Sequence, residues 1–363
     1  MAAAIATSSI ALGATLGSTS HAEAALLGPS SNYIVQITPA ARAAIESAVK
    51  NAGGTIDARY QYALDGFVVK LPDMLLPLLK KIPNVLTIEK DQPVTGLAIQ
   101  QNQTPTPSWG IDRIDQREVV STVSGYQGSY GYRSAGAGST IYIGDTGIYP
   151  HEDLAGRIST NGFSGIADGN GTIDCNGHGT HVATTAAGTQ YGVAKKAKLV
   201  PVRILNCAGS GSYATVIAGL DWIMSPLNTN SKSQAVLNLS IGGPASTSLN
   251  DAIRRLTNAG ITVVAAAGNE NSDACTRSPA SAPSAITVGA TTIADAKAYY
   301  SNWGTCVDIH APGSGITGGW YNGPTSVNTI SGTSMATPHV TGAAAVFLGL
   351  NPTASVAQVA DYL

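Results

Sequence analysis

Charge is scarce in this chain. Asp, Glu, Lys and Arg make up 12% of its 363 residues, about half the usual share of roughly 25%. The formal net charge is −2 and no basic run occurs, so a nucleic-acid or membrane-surface partner has no electrostatic support. No stretch beyond the first thirty residues reaches the roughly 18 consecutive apolar residues that a membrane span needs. No Cys-x-x-Cys pair suggests zinc. No Lys or Arg stands near Met1, so the positive start of an export signal is missing. Ala2 to Leu16 are nevertheless apolar or small, and Ala22-Glu23-Ala24 offers a small-x-small cleavage site. Residues 1–24 therefore read as a secretory signal peptide, and the chain as exported and soluble.

Small and apolar residues fill the space that charge leaves. With 41 glycines and 44% apolar residues, the chain has the composition of a closely packed globular protein. Its length allows one large and one small domain. Four cysteines, Cys175, Cys207, Cys275 and Cys306, all lie in the second half. Export favours two disulfides; four cysteines allow three pairings, and spacing alone does not choose among them.

Residues 33–94 have their own rhythm. YIVQI alternates as a strand, and PAARAAIESAVKNAGG carries a Pro near a helix start and Gly-Gly after its end. TIDARYQYALDGFVVKL reads as two strands about a turn at Asp65-Gly66, PDMLLPLLKKIP as a short helix and NVLTIEKD as a last strand. The order βαββαβ is the split pattern of ferredoxin-like α+β folds. Residues 95–108 are polar, contain Pro and show no period, which reads as a linker open to proteolysis. From Trp109 onward, runs such as STIYIGD, KLVPVRIL, QAVLNLSIGG, ITVVAAAGN and SAITVGA alternate with helical stretches. That predicts an α/β domain over 109–363, a parallel sheet with helices on both faces. Ligands gather beyond the carboxyl ends of such strands.

Chemistry-bearing residues fall at those ends. Asp145 closes IYIGDTGI, where a buried strand tip gives a carboxylate little packing reason. His178 lies between glycines in NGHGTHVA, which lets other groups approach its ring. His181, one helical turn on, reads as a satisfied helix residue rather than half of a metal pair. Asn269 follows a strand in AAAGNE, and Ser334 opens an apolar helix in ISGTSMATPHV. A serine there is either a cap or a nucleophile next to an N–H that receives an oxyanion. Serine needs an imidazole to take its proton, and the imidazole needs a carboxylate to fix its tautomer. Asp145, His178, Asn269 and Ser334 supply an orienter, a base, an oxyanion donor and a nucleophile.

IGDTGI, GHGTHVA, AAGN and SGTSMATPHV, in that order, resemble the catalytic blocks of secreted subtilisin-like serine proteases of the proteinase K and aqualysin branch. The similarity runs from about Trp109 to the end, and residues 33–94 resemble the family's inhibitory propeptide. The resemblance implies a serine endopeptidase made as a self-processing precursor and cut near Gln100–Asn102. It implies an oxyanion hole from the Asn269 side chain and the Ser334 N–H. Gly209-Ser210-Gly211 and Ser240-Ile241-Gly242 would sandwich the substrate backbone. Ala266, Ala267 and Gly268 would floor a roomy apolar pocket, and Tyr213 would border another. It also implies the pairs Cys175–Cys207 and Cys275–Cys306. No cofactor is implied for the chemistry. Structural calcium is implied at Pro283, Ala285 and Asp308, and at Asp112, Asp115 and Gln116. Partners would be protein substrates and the chain's own propeptide, acting on a monomer. The chain departs from the family pattern at Thr184, where Gly is usual, and at Gly144, where a bulky aliphatic is common. It also stops at Leu363, where family members continue, which reads as a truncated C-terminus. Two rivals remain: a catalytically silent scaffold, and a metal-dependent hydrolase using His178 and His181.

Overall fold

A computed structural model describes residues 28–61, 65–91, 101–118 and 128–363. The signal-peptide reading and Gln100 lie outside the described residues. The chain divides into two units between Leu97 and Ala98.

In the first unit, β1 (Ser30–Ile37) is followed by α1 (Arg42–Asn51), β2 (Thr55–Tyr60), β3 (Gly66–Pro72), α2 (Leu76–Leu79) and β4 (Val85–Lys90). Ile45 and Val49, four residues apart on α1, are buried with Val35 and Ile37 of β1 and Phe67, Val69 and Leu71 of β3. Gly53, at φ +72°, ends the helix in the left-handed conformation that only glycine adopts without cost. The sheet order is β2-β3-β1-β4, with every pair antiparallel.

The second unit begins earlier than its sequence suggests. Gln101–Gln103 forms β5, paired antiparallel with β6 (Tyr130–Tyr132). Gln103 Nε2 also donates to Gln190 O at 2.9 Å, and Thr106 and Ser108 are buried. The later part of the stretch read as a linker is thus built into the larger unit. Backbone pairing needs no side-chain period, which is why QNQ gave no signal. After α3 (Trp109–Arg113) come β7 (Thr140–Asp145), β8 (Phe163–Ser164), α4 (His178–Ala187), β9 (Lys198–Arg203), α5 (Tyr213–Met224), β10 (Ala235–Leu239) and β11 (Gly243–Pro244). The chain continues through α6 (Thr247–Asn258), β12 (Thr262–Ala266), β13 (Arg277–Ser278), β14 (Ile286–Thr291) and β15 (Ile309–Pro312). It ends with β16 (Ile316–Gly319), β17 (Val327–Ile330), α7 (Thr333–Leu350) and α8 (Val356–Tyr362).

Seven strands form one sheet in the order β15-β14-β12-β10-β7-β9-β8, all pairs parallel. Alternate residues feed opposite faces. Ile141, Ile143, Val236 and Val264 pack with α4 and α7, while Tyr142, Leu237 and Val263 pack with α5 and α6. Both faces are covered, so the strands read as continuous apolar runs. Each such aliphatic side chain contributes about 1.5–3 kcal/mol on burial. The pair α4–α7 is made of small residues for a reason: a Cβ on Gly342 of α7 would stand 2.7 Å from the Ala186 carbonyl of α4. The strand order reverses at β7, with β9 on one side and β10 on the other, and the crevice of such sheets opens at that switch point.

Candidate active site

Asp145 is the last residue of β7 and has no exposed surface. Its carboxylate accepts from His178 Nδ1 at 2.8 and 3.0 Å and from Thr146 N at 2.7 Å. Two acceptor oxygens on Nδ1 require the proton there, so Nε2 carries the lone pair and can act as base. His178 is the first residue of α4. The preceding Gly177 sits at φ +111°, and a Cβ there would stand 2.4 Å from the Trp320 ring, so both backbone and space demand glycine.

A second buried carboxylate, Asp174, builds this corner. Its Oδ1 accepts from Thr146 Oγ1, Asn176 N and Gly177 N at 2.8–2.9 Å, and its Oδ2 from Thr180 N and Oγ1 at 2.9 and 2.6 Å. Thr146 Oγ1 in turn accepts from Gly179 N at 2.9 Å. The strand tip and the helix start are thereby locked together. Burial opposes protonation of His178, but the charge and hydrogen bond of Asp145 and the charge of Asp174 outweigh it, so its pKa is raised above the ordinary 6.5. His181 behaves oppositely. Burial lowers it to about 4, and its Nε2 bonds Ile316 O at 3.0 Å. The two histidines serve different partners.

Ser334 is the second residue of α7, so its N–H is among the first-turn donors that have no acceptor within the helix. Its Oγ donates to Ser240 O at 3.1 Å. Pro338 lies inside α7 and cannot donate to the carbonyl four residues back, that of Ser334. Ser240 Oγ takes over that role, donating to Ser334 O at 2.9 Å. Ser240 is held by Asn238 Nδ2 at 2.9 Å and Asn238 by Thr341 Oγ1 at 2.8 Å, both fully inside the core.

Asn269 stands just beyond β12. Its Oδ1 accepts from Thr333 N at 2.8 Å and Thr333 Oγ1 at 3.0 Å. With the oxygen committed to the residue before Ser334, Nδ2 remains as the free donor of the amide among the described residues. It lies beside Gly332, 3.5 Å from where a Cβ would stand. Thr333 Oγ1 also accepts from Gly268 N at 3.1 Å.

A cleft of about 740 Å³ runs from His178 past Gly209, Ser210, Gly211 and Tyr213 to Ser240, Ile241, Gly242 and Pro244. A Cβ on Gly242 would meet nothing within 4 Å, so that rail is open to an incoming backbone. Tyr213 Oη donates to Pro244 O at 2.5 Å and ties the two rails together. Ala266 and Ala267 are buried in the chain's own packing and do not line this cleft, and neither does Gly268. A larger cavity of about 900 Å³ is lined by residues of β15, α7 and α8 and by none of these groups.

Both disulfides implied by the resemblance are formed, Cys175–Cys207 and Cys275–Cys306. The guanidinium of the fully buried Arg203 reaches the first of them at 3.1 Å while pairing with Asp168 at 2.5 Å and donating to Thr146 O at 3.1 Å. The two departures from the family pattern are compensated locally. Thr184 Oγ1 accepts from Gly319 N at 2.8 Å, and Leu239 Cδ2 fills the space where Gly144 would carry a Cβ, at 2.7 Å.

For cations, Asp308 Oδ2 accepts from Thr287 N at 2.8 Å, beside the Pro283–Ala285 loop, where the buried Ser284 Oγ has no partner. Asp112 accepts from Ser129 N and Gln116 Nε2 at 2.7 and 2.8 Å, and Asp115 from Gly131 N at 2.5 Å. Carboxylate and carbonyl oxygens of this kind are the ligands a hard cation takes.

The model of the subtilase family matches residues 136–363. The chain belongs to this family. It is 51% identical over 312 residues to an extracellular serine proteinase of Thermus sp. (strain Rt41A), covering 86% of this chain and 73% of that protein. It is 43% identical over 308 residues to alkaline serine exoprotease A of Vibrio alginolyticus, covering 84% and 55%. The crystal structure of a cold-adapted subtilisin-like serine proteinase superposes with a TM-score of 0.64 at 45% identity, covering 70% of this chain and 89% of that one. The fold is subtilisin-like, and this subtilase is a serine-type endopeptidase. Sequence reasoning missed Asp174, Thr333 and Asn238. Asp174 left a trace, since Asp-x-Asn-Gly before a helix is an Asx-turn pattern; the bonds Thr333 N–Asn269 and Thr341–Asn238 join residues 64 and 103 positions apart.

Proposed function

We propose that this subtilase is a secreted endopeptidase in which Ser334 attacks the peptide carbonyl, His178 carries the proton and Asp145 holds His178. The observation that carries the reading is the Asp145–His178 pair at 2.8 Å, together with a serine whose N–H lies in the first turn of α7. Ser334 Oγ turns from Ser240 O to His178 Nε2, which accepts its proton as the carbon–oxygen bond forms. The oxyanion is received by Asn269 Nδ2 and Ser334 N–H. Imidazolium then protonates the leaving amine, and water, deprotonated by the same ring, releases the acyl group. Removal of one oxyanion donor, a magnitude measured on subtilisin, costs about 3–4 kcal/mol of transition-state stabilisation.

Substrate lies in the cleft as an added strand between Gly209–Gly211 and Ser240–Gly242. The cleft lining holds no Asp, Glu, Lys or Arg, which supports a broad, apolar preference. Residues 33–94 form the propeptide, which inhibits the enzyme until the chain cuts itself between residues 95 and 108, near Gln100–Asn102. The pairing of β5 with β6 then keeps the new end of the chain anchored. Calcium held by Pro283, Ala285 and Asp308, and by Asp112, Asp115 and Gln116, would add stability. Export is supported by the extracellular relative, and the enzyme works as a monomer on protein substrates.

Intact mass followed over time, beside Ser334→Ala, tests the reading. The parent is expected to split between residues 95 and 108 while the alanine form stays whole. Two folded chains that both remain uncut would reopen the silent-scaffold reading.

A further inference from the structure

Asn302 plays no part in the chemistry above, yet it is completely buried against the loop that carries Asn269. The segment 300–303 lies along that loop. Asn271 N donates to Tyr300 O at 2.8 Å, Asn302 N to Gly268 O at 3.0 Å and Trp303 N to Ser272 O at 3.0 Å. The Asn302 amide then uses both of its ends on the same loop. Its Oδ1 accepts from Glu270 N at 3.0 Å and Ser272 N at 2.9 Å. Its Nδ2 donates to Ala267 O at 2.9 Å and Glu270 Oε2 at 2.8 Å. Gly268 leaves room for this: at φ +103° a Cβ there would stand 2.3 Å from Asn302 Nδ2.

Asn269 sits in the middle of these bonds. The peptide oxygen before it and the peptide nitrogen after it are both held by Asn302, while its own side chain is exposed. Thr333 fixes the far end of that side chain through Oδ1. An oxyanion donor works only if it is aimed before the charge appears, and an exposed loop side chain has no packing of its own to aim it. We propose that Asn302 is a positioning residue: a buried amide that splints the loop 267–272 so that Asn269 Nδ2 points at the developing oxyanion. An amide suits the task because it alone offers two donors and an acceptor oxygen in one plane, matching the two carbonyl-type oxygens and two N–H groups the loop presents.

The proposal rests on the reading of Asn269 as oxyanion donor, and the test separates the two. Asn269→Ala, Asn302→Ala and the double variant are assayed on a peptide anilide, with rates expressed per site titrated by a serine-directed sulfonyl fluoride. Asn269→Ala should lower kcat by about 10²–10³. Asn302→Ala should lower kcat about ten-fold or more with KM within about two-fold, and should add no more than about two-fold in the Asn269→Ala background. An unchanged kcat per site in Asn302→Ala, an effect mainly on KM, or a full additional loss in the double variant would overturn the proposal. An unchanged kcat in Asn269→Ala would instead remove the oxyanion reading itself. Asn302→Asp, which keeps both acceptor bonds and sets a second oxygen against Ala267 O, replaces Asn302→Ala if the alanine chain does not fold; the same non-additivity with Asn269→Ala is required of it.

Discussion

The two sides of the catalytic corner are built from different materials. The His178 side rests on buried carboxylates, Asp145 and Asp174, neither with more than 2% of its surface exposed. The Asn269 side is held by the Thr333 peptide and hydroxyl and the Asn302 amide; the carboxylate of Glu270, which that amide also bonds, is exposed and faces Arg277. The difference follows from the charge that each side must stabilise. On the proposed mechanism an imidazolium forms on the first side, and fixed negative charge in a poorly solvated site favours it. On the same proposal an oxyanion forms on the second, where a carboxylate close to it would oppose it and amide N–H groups favour it.

Asp145→Asn should break this contrast most severely. An amide next to Nδ1 can present its NH2 and favour the wrong tautomer, so kcat should fall by about 10⁴ while KM changes little. Steady-state kinetics on a peptide anilide check this. The acid limb should move as well. The His178 pKa is raised, and the base works only when neutral, so activity in the parent falls as pH drops through a value above 6.5. Without the Asp145 charge that limb moves to lower pH. The stability sign is opposite to the activity sign: in Ser334→Ala, the contribution of the pair is fully present below the unfolded pKa and is lost as pH rises through the folded one.

A smaller loss comes from the other side, and it sharpens the comparison. Asn269→Asp should be at least as damaging as the 10²–10³-fold loss expected of Asn269→Ala, because a carboxylate there repels the oxyanion as well as failing to donate. Should Asn269→Asp retain more activity than Asn269→Ala at pH 8, the charge argument for this side is wrong. Asp174→Asn ranks next. Five donors converge on its two oxygens, and an amide must turn its NH2 towards some of them, at about 1–3 kcal/mol in stability. Denaturant midpoints measure that cost, and the acid limb should shift down by less than in Asp145→Asn.

What could be read from the residues divides along the same physical line. The strands of the sheet were legible because burial on both faces leaves uninterrupted apolar runs, and Asp145 and Asn269 were legible because polar groups at the ends of such runs have no packing explanation. The supports were not. Asn302 sits in SNWGT with no local pattern, since all its meaning lies in a loop more than 30 residues earlier. Gln101–Gln103 likewise carries no periodicity, because its order comes from backbone pairing with Tyr130–Tyr132.

The smallest effect concerns the join between the two sides, where Ser334 itself is held. Its carbonyl lost a helical donor to Pro338 and gained Ser240 Oγ at 2.9 Å. Ser240→Ala should therefore leave a part-buried carbonyl without a partner, costing about 1–2 kcal/mol. If Pro338 is the reason Ser240 is needed, Pro338→Ala returns an N–H to position for Ser334 O. The cost of Ser240→Ala should then shrink by half or more in that background. Denaturant unfolding of the four chains, all carrying Ser334→Ala to prevent self-digestion, measures the coupling directly. Equal costs in both backgrounds would mean that Ser240 acts through Asn238 and Thr341 alone, as part of the core rather than as the substitute for a missing helical bond.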